Sequence, residues 1–170
     1  MFRIFLQETF AIQDFTYYDD CTLDKGYWVK SDATKINYSF SNGVMLIEGL
    51  GSNSDSFLNL DITYPTNYEI EITIAETPSS YYCGLRGNNV GLEGDTIRKF
   101  LQTYSPYSYS AESGNLYAND VIKVVVENGT ATLYINNTQK RQATATNDGF
   151  RFSSYQSRQL KIKEIKVKAL

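Results

Sequence analysis

Asn128-Gly129 sits between two runs of residues whose pairing checks itself. Asn-Gly best suits a two-residue type I′ turn. Closing Val121 to Glu127 onto Thr130 to Asn136 sets Val126 opposite Ala131, Val124 opposite Leu133 and Ile122 opposite Ile135. These apolar residues share one face, while Val125 with Thr132 and Lys123 with Tyr134 take the other. A slip of one residue would turn the apolar row to the wrong face, so the register is strongly specified. Such a chain is built from antiparallel sheet, and its function has to be sought on sheet faces and loops.

A second turn, Asn42-Gly43, sets Phe40 against Met45 and Tyr38 against Ile47 in the same way. Alternation marks further strands. Met1 to Leu6 reads as the first. Leu58, Leu60, Ile62 and Tyr64 alternate up to Pro65, which ends that strand. Tyr68, Ile70, Ile72 and Ile74 alternate with Glu69, Glu71 and Thr73. Tyr81 to Arg86 precedes a Gly87-Asn88-Asn89 turn. Thr96 to Tyr104 fits a strand or one or two helical turns, and the polar, aromatic stretch from Tyr104 to Asn119 reads as a long loop or irregular edge. The closing run, Gln159 to Ala169, shifts phase between Ile162 and Ile165, the mark of a bulge. About ten to twelve short strands with regular turn signals predict an all-β, two-sheet antiparallel jelly-roll sandwich. Residues 1–170 form one domain on this reading, with 1–20 as an N-terminal strand and arm.

Composition removes several functions. A chain of 170 residues can bury about 68–70% of its unfolded surface and needs no covalent staples. A net charge of −3 argues against nucleic acid. Lys161, Lys163, Lys166 and Lys168 alternate with Leu160, Ile162, Ile165 and Val167, as on the wet face of a strand. Histidine is absent, which removes the commonest general base and metal ligand. Carboxylates, tyrosines and lysines remain for acid–base work. Cys21 and Cys83 make no disulfide framework, and two free thiols are expected unless the fold brings them together. The first residues lack the pattern of a signal peptide, and no apolar run is long enough to insert in a membrane.

The run from Asp120 to Asn137, followed by Gly149-Phe150-Arg151-Phe152 and Ile162-Lys163-Glu164-Ile165-Lys166-Val167, resembles the late strands of concanavalin A-like lectin/glucanase (laminin G-like) domains. The resemblance covers the chain from about residue 20 onward and implies a concanavalin A-like jelly roll. It departs at Thr138-Gln139-Lys140-Arg141-Gln142, polar where such domains continue apolar, which suggests an edge strand or a partner contact. The short opening and the Tyr-rich, His-free composition resemble modules of bacteriophage tail-fibre, baseplate or capsid-decorating proteins. That resemblance implies a virion or extracellular surface location, with other virion proteins or further copies of the chain as partners.

Laminarinase-like members of the superfamily carry Glu-x-Asp-x-x-Glu on one strand face, and retaining hydrolysis needs two carboxyls about 5–5.5 Å apart. The nearest match tested, Glu69-Ile70-Glu71-Ile72-Thr73-Ile74, has Ile74 at the third acid. No catalytic residue and no enzyme activity are therefore expected. Calcium is common in the superfamily, but Asp19-Asp20 with Asp24, or Asp55 with Asp61, makes no specific loop pattern, so no cofactor or metal is expected. The outlier is tyrosine, at 14 residues. Tyr81, Tyr82 and Arg86, with Tyr104, Tyr107, Tyr109 and Tyr117, form the candidate ligand-binding set, for glycan, for a protein partner or for plain packing. Trp28 reads as structural. The expectation is a non-catalytic virion binding and assembly module that also adheres to host-surface glycan. The alternative is a carbohydrate-active enzyme or its accessory carbohydrate-binding domain.

Overall fold

The computed structural model describes residues 15–50, 56–155 and 157–170. The strand expected at Met1 to Leu6, and Asp55, lie outside them. The described chain is all strand and turn. In order, the strands are β1 (Phe15–Asp19), β2 (Trp28–Lys30), β3 (Ile36–Ser41), β4 (Val44–Gly49) and β5 (Ser56–Leu60). Next come β6 (Tyr68–Ile74), β7 (Tyr82–Gly87), β8 (Val90–Gly94), β9 (Arg98–Tyr104) and β10 (Tyr107–Ser113). The last are β11 (Val121–Glu127), β12 (Thr130–Ile135), β13 (Thr138–Thr144), β14 (Phe150–Ser154) and β15 (Gln159–Ala169). They form two antiparallel sheets. The first runs β13-β12-β11-β6-β15-β4-β3, with β1 also on β15, and the second runs β10-β9-β8-β7-β14-β5-β2.

Both Asn-Gly hairpins close in the predicted register. Val126 faces Ala131, Val124 faces Leu133 and Ile122 faces Ile135, while Phe40 faces Met45 and Tyr38 faces Ile47. Asn128 and Asn42 both adopt positive φ, as a type I′ turn demands. The shift expected in the closing strand lies between Ile162 and Glu164 in its pairing with β6. The polar segment after Asn137 is β13, the edge of the first sheet.

Two expectations are corrected and one open alternative is resolved. The strand before Pro65 stops at Leu60, and the chain then runs irregularly to Tyr68. The Tyr64 hydroxyl instead donates to the Leu60 carbonyl and accepts from the Phe150 amide. The ambiguous run before Tyr104 is the strand β9. Much of the expected 104–119 loop is the strand β10, turned back on β9 through a cis Ser105-Pro106 peptide.

The core lies between the inward rows. Ile70, Ile72, Ile74, Val124, Leu133, Ile162 and Ile165 come from the first sheet, and Leu58, Leu85, Leu92, Leu101, Phe150 and Phe152 from the second. Trp28 packs within it, 5.5 Å from the Phe152 ring. Gly87 permits this contact between layers, since a Cβ there would press on Phe150 at 3.3 Å and Val124 at 3.4 Å. Cys21 and Cys83 are buried free thiols, and burial pushes each up to about 12.

Candidate functional site

Alternation that fills the core sends the other residues of the second sheet outward. One row crosses five strands in register: Arg151, Arg86, Gly91, Gln102 and Tyr109. Beside it lie Phe57, Ser153 and Gly84, then Glu93 facing Phe100. The two glycines lower the floor. A Cβ at Gly91 would stand 2.5 Å from the Leu85 carbonyl and 2.8 Å from the Tyr104 hydroxyl, and one at Gly84 would collide with Ser153. A cleft of about 370 Å³ opens over this floor, lined by Arg86, Glu93, Gln102, Tyr104, Tyr155 and Arg158, among others.

Glu93 is the carboxylate of the floor. Gln102 donates to its Oε1 at 3.0 Å and Arg158 to its Oε2 at 2.6 Å. Arg158 reaches in from the turn before β15, with its guanidinium 5.6 Å from the rings of both Tyr81 and Tyr155. Arg86 lies over the Tyr104 ring at 3.7 Å, a close cation–π stack. Arg151 lies over Phe57 at 4.3 Å. At the rim, Asp148 stands 3.6 Å from Arg86 and 4.0 Å from Arg151. Burial pushes the Tyr104 phenol well above its usual range, so it stays a neutral donor. Tyr104, Tyr107 and Tyr109 form a ladder toward the sheet edge, with successive centroids 6.5 and 6.2 Å apart.

Asn89 holds this ladder in place. Buried at positive φ, it accepts from the amides of Tyr104 (3.0 Å) and Ser105 (2.6 Å) through Oδ1. Its Nδ2 donates to the carbonyls of Ser105 (2.8 Å) and Thr144 (2.9 Å). One side chain thus ties the β7–β8 turn, the β9–β10 turn and the end of β13 together.

The structure brings Arg86, Tyr104, Tyr107 and Tyr109 of the expected set onto one face, with Tyr81 against Arg158 at its border. Tyr82 is not available to any ligand: the β7 irregularity turns it fully into the core. Tyr117 stands exposed in the loop after β10, its hydroxyl near Gly114, and does not line the cleft. Glu93, Gln102, Arg151 and Arg158 escaped the sequence reading. One signal pointed to them: Glu93-Gly94-Asp95 repeats the first two acids of the laminarinase-like pattern, with Arg98 in place of the last. Asp95 is spent on the turn after β8. It accepts from the amides of Ile97 (2.9 Å) and Arg98 (2.8 Å) and from the Arg98 guanidinium (3.0 Å). The Ile97 amide first, then Arg98, hold its carboxyl below the usual range.

Glu69 and Glu71, tested as acids from sequence, face outward on the first sheet, away from the cleft, in register with Lys168 and Lys166. Three of the acidic groups considered for calcium are engaged locally. Asp19 accepts from Tyr17 and the Cys21 amide, Asp20 from Thr22, and Asp24 from Tyr38 and the Gly26 amide. A roomier hollow, about 570 Å³, opens between β10 and β13, but its lining holds neither a carboxylate nor an aromatic ring.

No protein-family model matches the chain, and comparison with curated proteins finds no match either. Solved structures do match. A Bacillus licheniformis β-glucanase aligns with a TM-score of 0.60 at 12% identity, over 91% of this chain and 98% of that one. Its fold is the concanavalin A-like jelly roll. A protein from work on endo-acting O-glycanases of human gut microbiota aligns with a TM-score of 0.62 at 9% identity, over 92% of this chain and 100% of that one. An endo-β-1,3-glucanase from Pyrococcus furiosus aligns with a TM-score of 0.57 at 10% identity, over 91% and 94%. Identities this low establish the shared fold. They also correct the expected function: these matched structures include glucanases, enzymes acting on glycans, against which neither the virion-module reading nor the expectation of no enzyme stands.

Proposed function

We propose that this protein is a carbohydrate-active enzyme whose glycan lies across the outward face of the second sheet, with Glu93 carrying the acid–base chemistry. The observation that carries the reading is the position of Glu93. It is a carboxylate at the centre of a glycine-floored cleft, oriented by Gln102 and Arg158 and flanked by the Tyr104–Tyr107–Tyr109 ladder. Sugar rings dock on aromatic faces, and charged and amide groups hold their hydroxyls. The glucanases and O-glycanase that share the fold support the same substrate class.

A second reading, an accessory carbohydrate-binding domain, is favoured by one observation. Both Glu93 oxygens are already engaged, and the position that would complete the acidic pattern is Arg98. One experiment separates the two. Reducing-end release is measured over a panel of neutral and acidic polysaccharides, alongside retention on the same polymers. Release that Glu93→Gln abolishes while retention persists establishes the enzyme. Retention without release by the wild type establishes the accessory domain. Release undiminished in Glu93→Gln removes Glu93 from the chemistry.

A further inference from the structure

We infer that β10 is a docking edge for a second copy of this chain, the two β10 strands pairing antiparallel about a two-fold axis at Tyr109. The inference does not depend on the glycan reading of the cleft. The second sheet ends at β10 and β2, and the first at β13 and β3. An unpaired sheet edge invites another strand, and proteins blunt such edges with short strands, charges, proline, bulges or covering segments. β2 is three residues long. β13 carries Lys140 and Arg141 and a register shift against β12. The side chains of Asp24 and Lys30 reach over β3, to Tyr38 and Asn37. β10, Tyr107-Ser108-Tyr109-Ser110-Ala111-Glu112-Ser113, has none of these devices. It is seven residues long, its register with β9 is unbroken, and its single charge, Glu112, is neutralised by Lys140 at 2.9 Å.

Hydrogen-bond parity shows which of its main-chain groups face outward. In an antiparallel ladder the N–H and C=O of one residue point to the same side, and the side alternates along the strand. On β9, the Tyr104 amide donates to the Asn89 carbonyl and the Arg98 carbonyl accepts from the Asp95 amide, so the even-numbered residues turn to β8. The Gly114 amide donates to the Ile97 carbonyl, so the odd-numbered residues of this stretch meet even-numbered ones of β10. Tyr107, Tyr109, Ala111 and Ser113 therefore present their backbone to the open edge. The Ser113 carbonyl is already taken by Lys99 Nζ at 3.2 Å, and the Ser105 amide by Asn89 at 2.6 Å. The run left open reaches from Tyr107 to Ala111, and its midpoint is Tyr109. A two-fold there sets Tyr109 against its own copy and Tyr107 against Ala111, and every outward N–H and C=O of the run finds a partner. No charged residue faces another across the seam, so a chain of net charge −3 meets itself there without like-charge repulsion.

The edge also has apolar surface to bury. Tyr107 and Tyr109 are 63% and 60% exposed, and β10 is exposed along nearly its whole length on both faces. A second copy lays its own tyrosines beside them, and contact surfaces favour tyrosine. The axis stands perpendicular to the sheet, so the outward faces of both copies lie on one side. The Tyr104–Tyr107–Tyr109 ladders then meet at the seam, and each copy adds aromatic rings to the end of the other's cleft.

The test follows the full chain by sedimentation velocity over a concentration series. A single strand edge is a small interface, so a reversible dimer with a dissociation constant of about 10 μM is expected. Ala111→Pro removes one outward N–H and no bond to β9, and should weaken the dimer at least about tenfold with the urea midpoint unchanged. Tyr109→Lys places like charges together at the axis and should weaken it as much, more at low salt than at high. Tyr109→Cys should oxidise to a covalent dimer, because Cα atoms of a hydrogen-bonded antiparallel pair stand about 5.5 Å apart, within disulfide reach. Ser113→Cys, far from the axis, should not, and the native thiols are buried. A monomer at every concentration overturns the inference, and a strand from another protein is then the occupant to seek. A dimer that neither Ala111→Pro nor Tyr109→Lys weakens overturns the placement on β10. Cross-linking of Ser113→Cys as fast as that of Tyr109→Cys overturns the two-fold at Tyr109. Should Ala111→Pro fail to fold, the lysine variant and the cysteine pair still decide.

Discussion

The two outward sheet faces carry similar residue types and put them to different use. On the first sheet, charges of opposite sign lie opposite one another across the strands. Lys168 lies against Glu69, Lys166 against Glu71, and Lys123 against Glu71 from the other side. Each is a long, half-exposed side chain with a partner in register. On the second sheet, arginines sit over aromatic rings, Glu93 is held by donors from two elements, and Gly84 and Gly91 leave a hollow where side chains would stand. Charge alone therefore does not mark a site on a β-sandwich. A regular ladder of opposite charges is a solvated face. An irregular cluster over missing side chains is a cleft.

The largest expected effect contrasts one acid from each face. Glu93→Gln should lower turnover by about a hundredfold or more, the usual scale for removing an acid–base group. Glu71→Gln should leave turnover unchanged. Release assays on the polymer panel check both. Equal losses in the two variants would mean that Glu93 has no special role in the reaction.

Next is the support beneath the aromatic ladder. Asn89→Ala removes the acceptor of two amides and the donor to two carbonyls. The variant should lose about 2–4 kcal/mol of stability in urea unfolding, since buried backbone groups are left unpaired. Retention on glycan should fall with it, because Tyr104 and Tyr107 lose their anchor. The first-sheet turn asparagine, Asn128, is exposed and receives an Asn67 contact only through its own amide. Its replacement by glycine, which keeps positive φ, should cost little.

Much of the first sheet was legible because its signals are redundant. Asn128-Gly129 fixes a register, and that register aligns apolar residues on one face with polar ones on the other. The second sheet is legible only in part. Val90-Gly91-Leu92-Glu93-Gly94 is short, and three of its five residues are glycine or charged, so alternation has little to act on. In Tyr107-Ser108-Tyr109-Ser110 both faces of an edge strand meet solvent, and no inward apolar row betrays it. Tyr82 breaks the alternation because β7 carries an irregularity between Tyr82 and Leu85, at Gly84, a glycine of the kind that marks bulges. The tyrosine ladder was within reach of composition. The arginine cluster was not, because Arg158 joins it through tertiary contact alone.

The two buried thiols test whether the regions open separately. Cys83 lies in the second sheet and donates to the carbonyls of Ile47 (3.7 Å) and Arg158 (3.5 Å), while Cys21 follows β1 of the first. Burial raises both to about 12, so each stays a neutral thiol in the folded protein. The unfolded chain ionises them near 9.0. Their contribution to stability is therefore complete below about pH 9 and is lost as pH rises toward 12, at up to about 1.4 kcal/mol per pH unit for each thiol. The buried tyrosines shift in the same direction. Native alkylation by iodoacetamide should be slow and equal at both cysteines, with Cys83→Ala flattening part of the alkaline limb. Faster labelling of Cys83 would mean that the cleft-bearing sheet loosens first.

The smallest effect concerns the first-sheet ladder itself. Lys166 faces Glu71 in register and pairs with Glu164 at 2.7 Å, with both partners of that pair nearly one-third exposed. Pairs of this exposure are screened by water and salt and contribute at most about 1 kcal/mol. Lys166→Gln should change urea stability by less than about 1 kcal/mol, and the change should shrink further at high salt. If this face is only a solvated ladder, glycan retention and turnover stay at wild-type values in that variant. A fall in either would mean that the first sheet also meets ligand, and the division of labour between the two faces would then have to be abandoned.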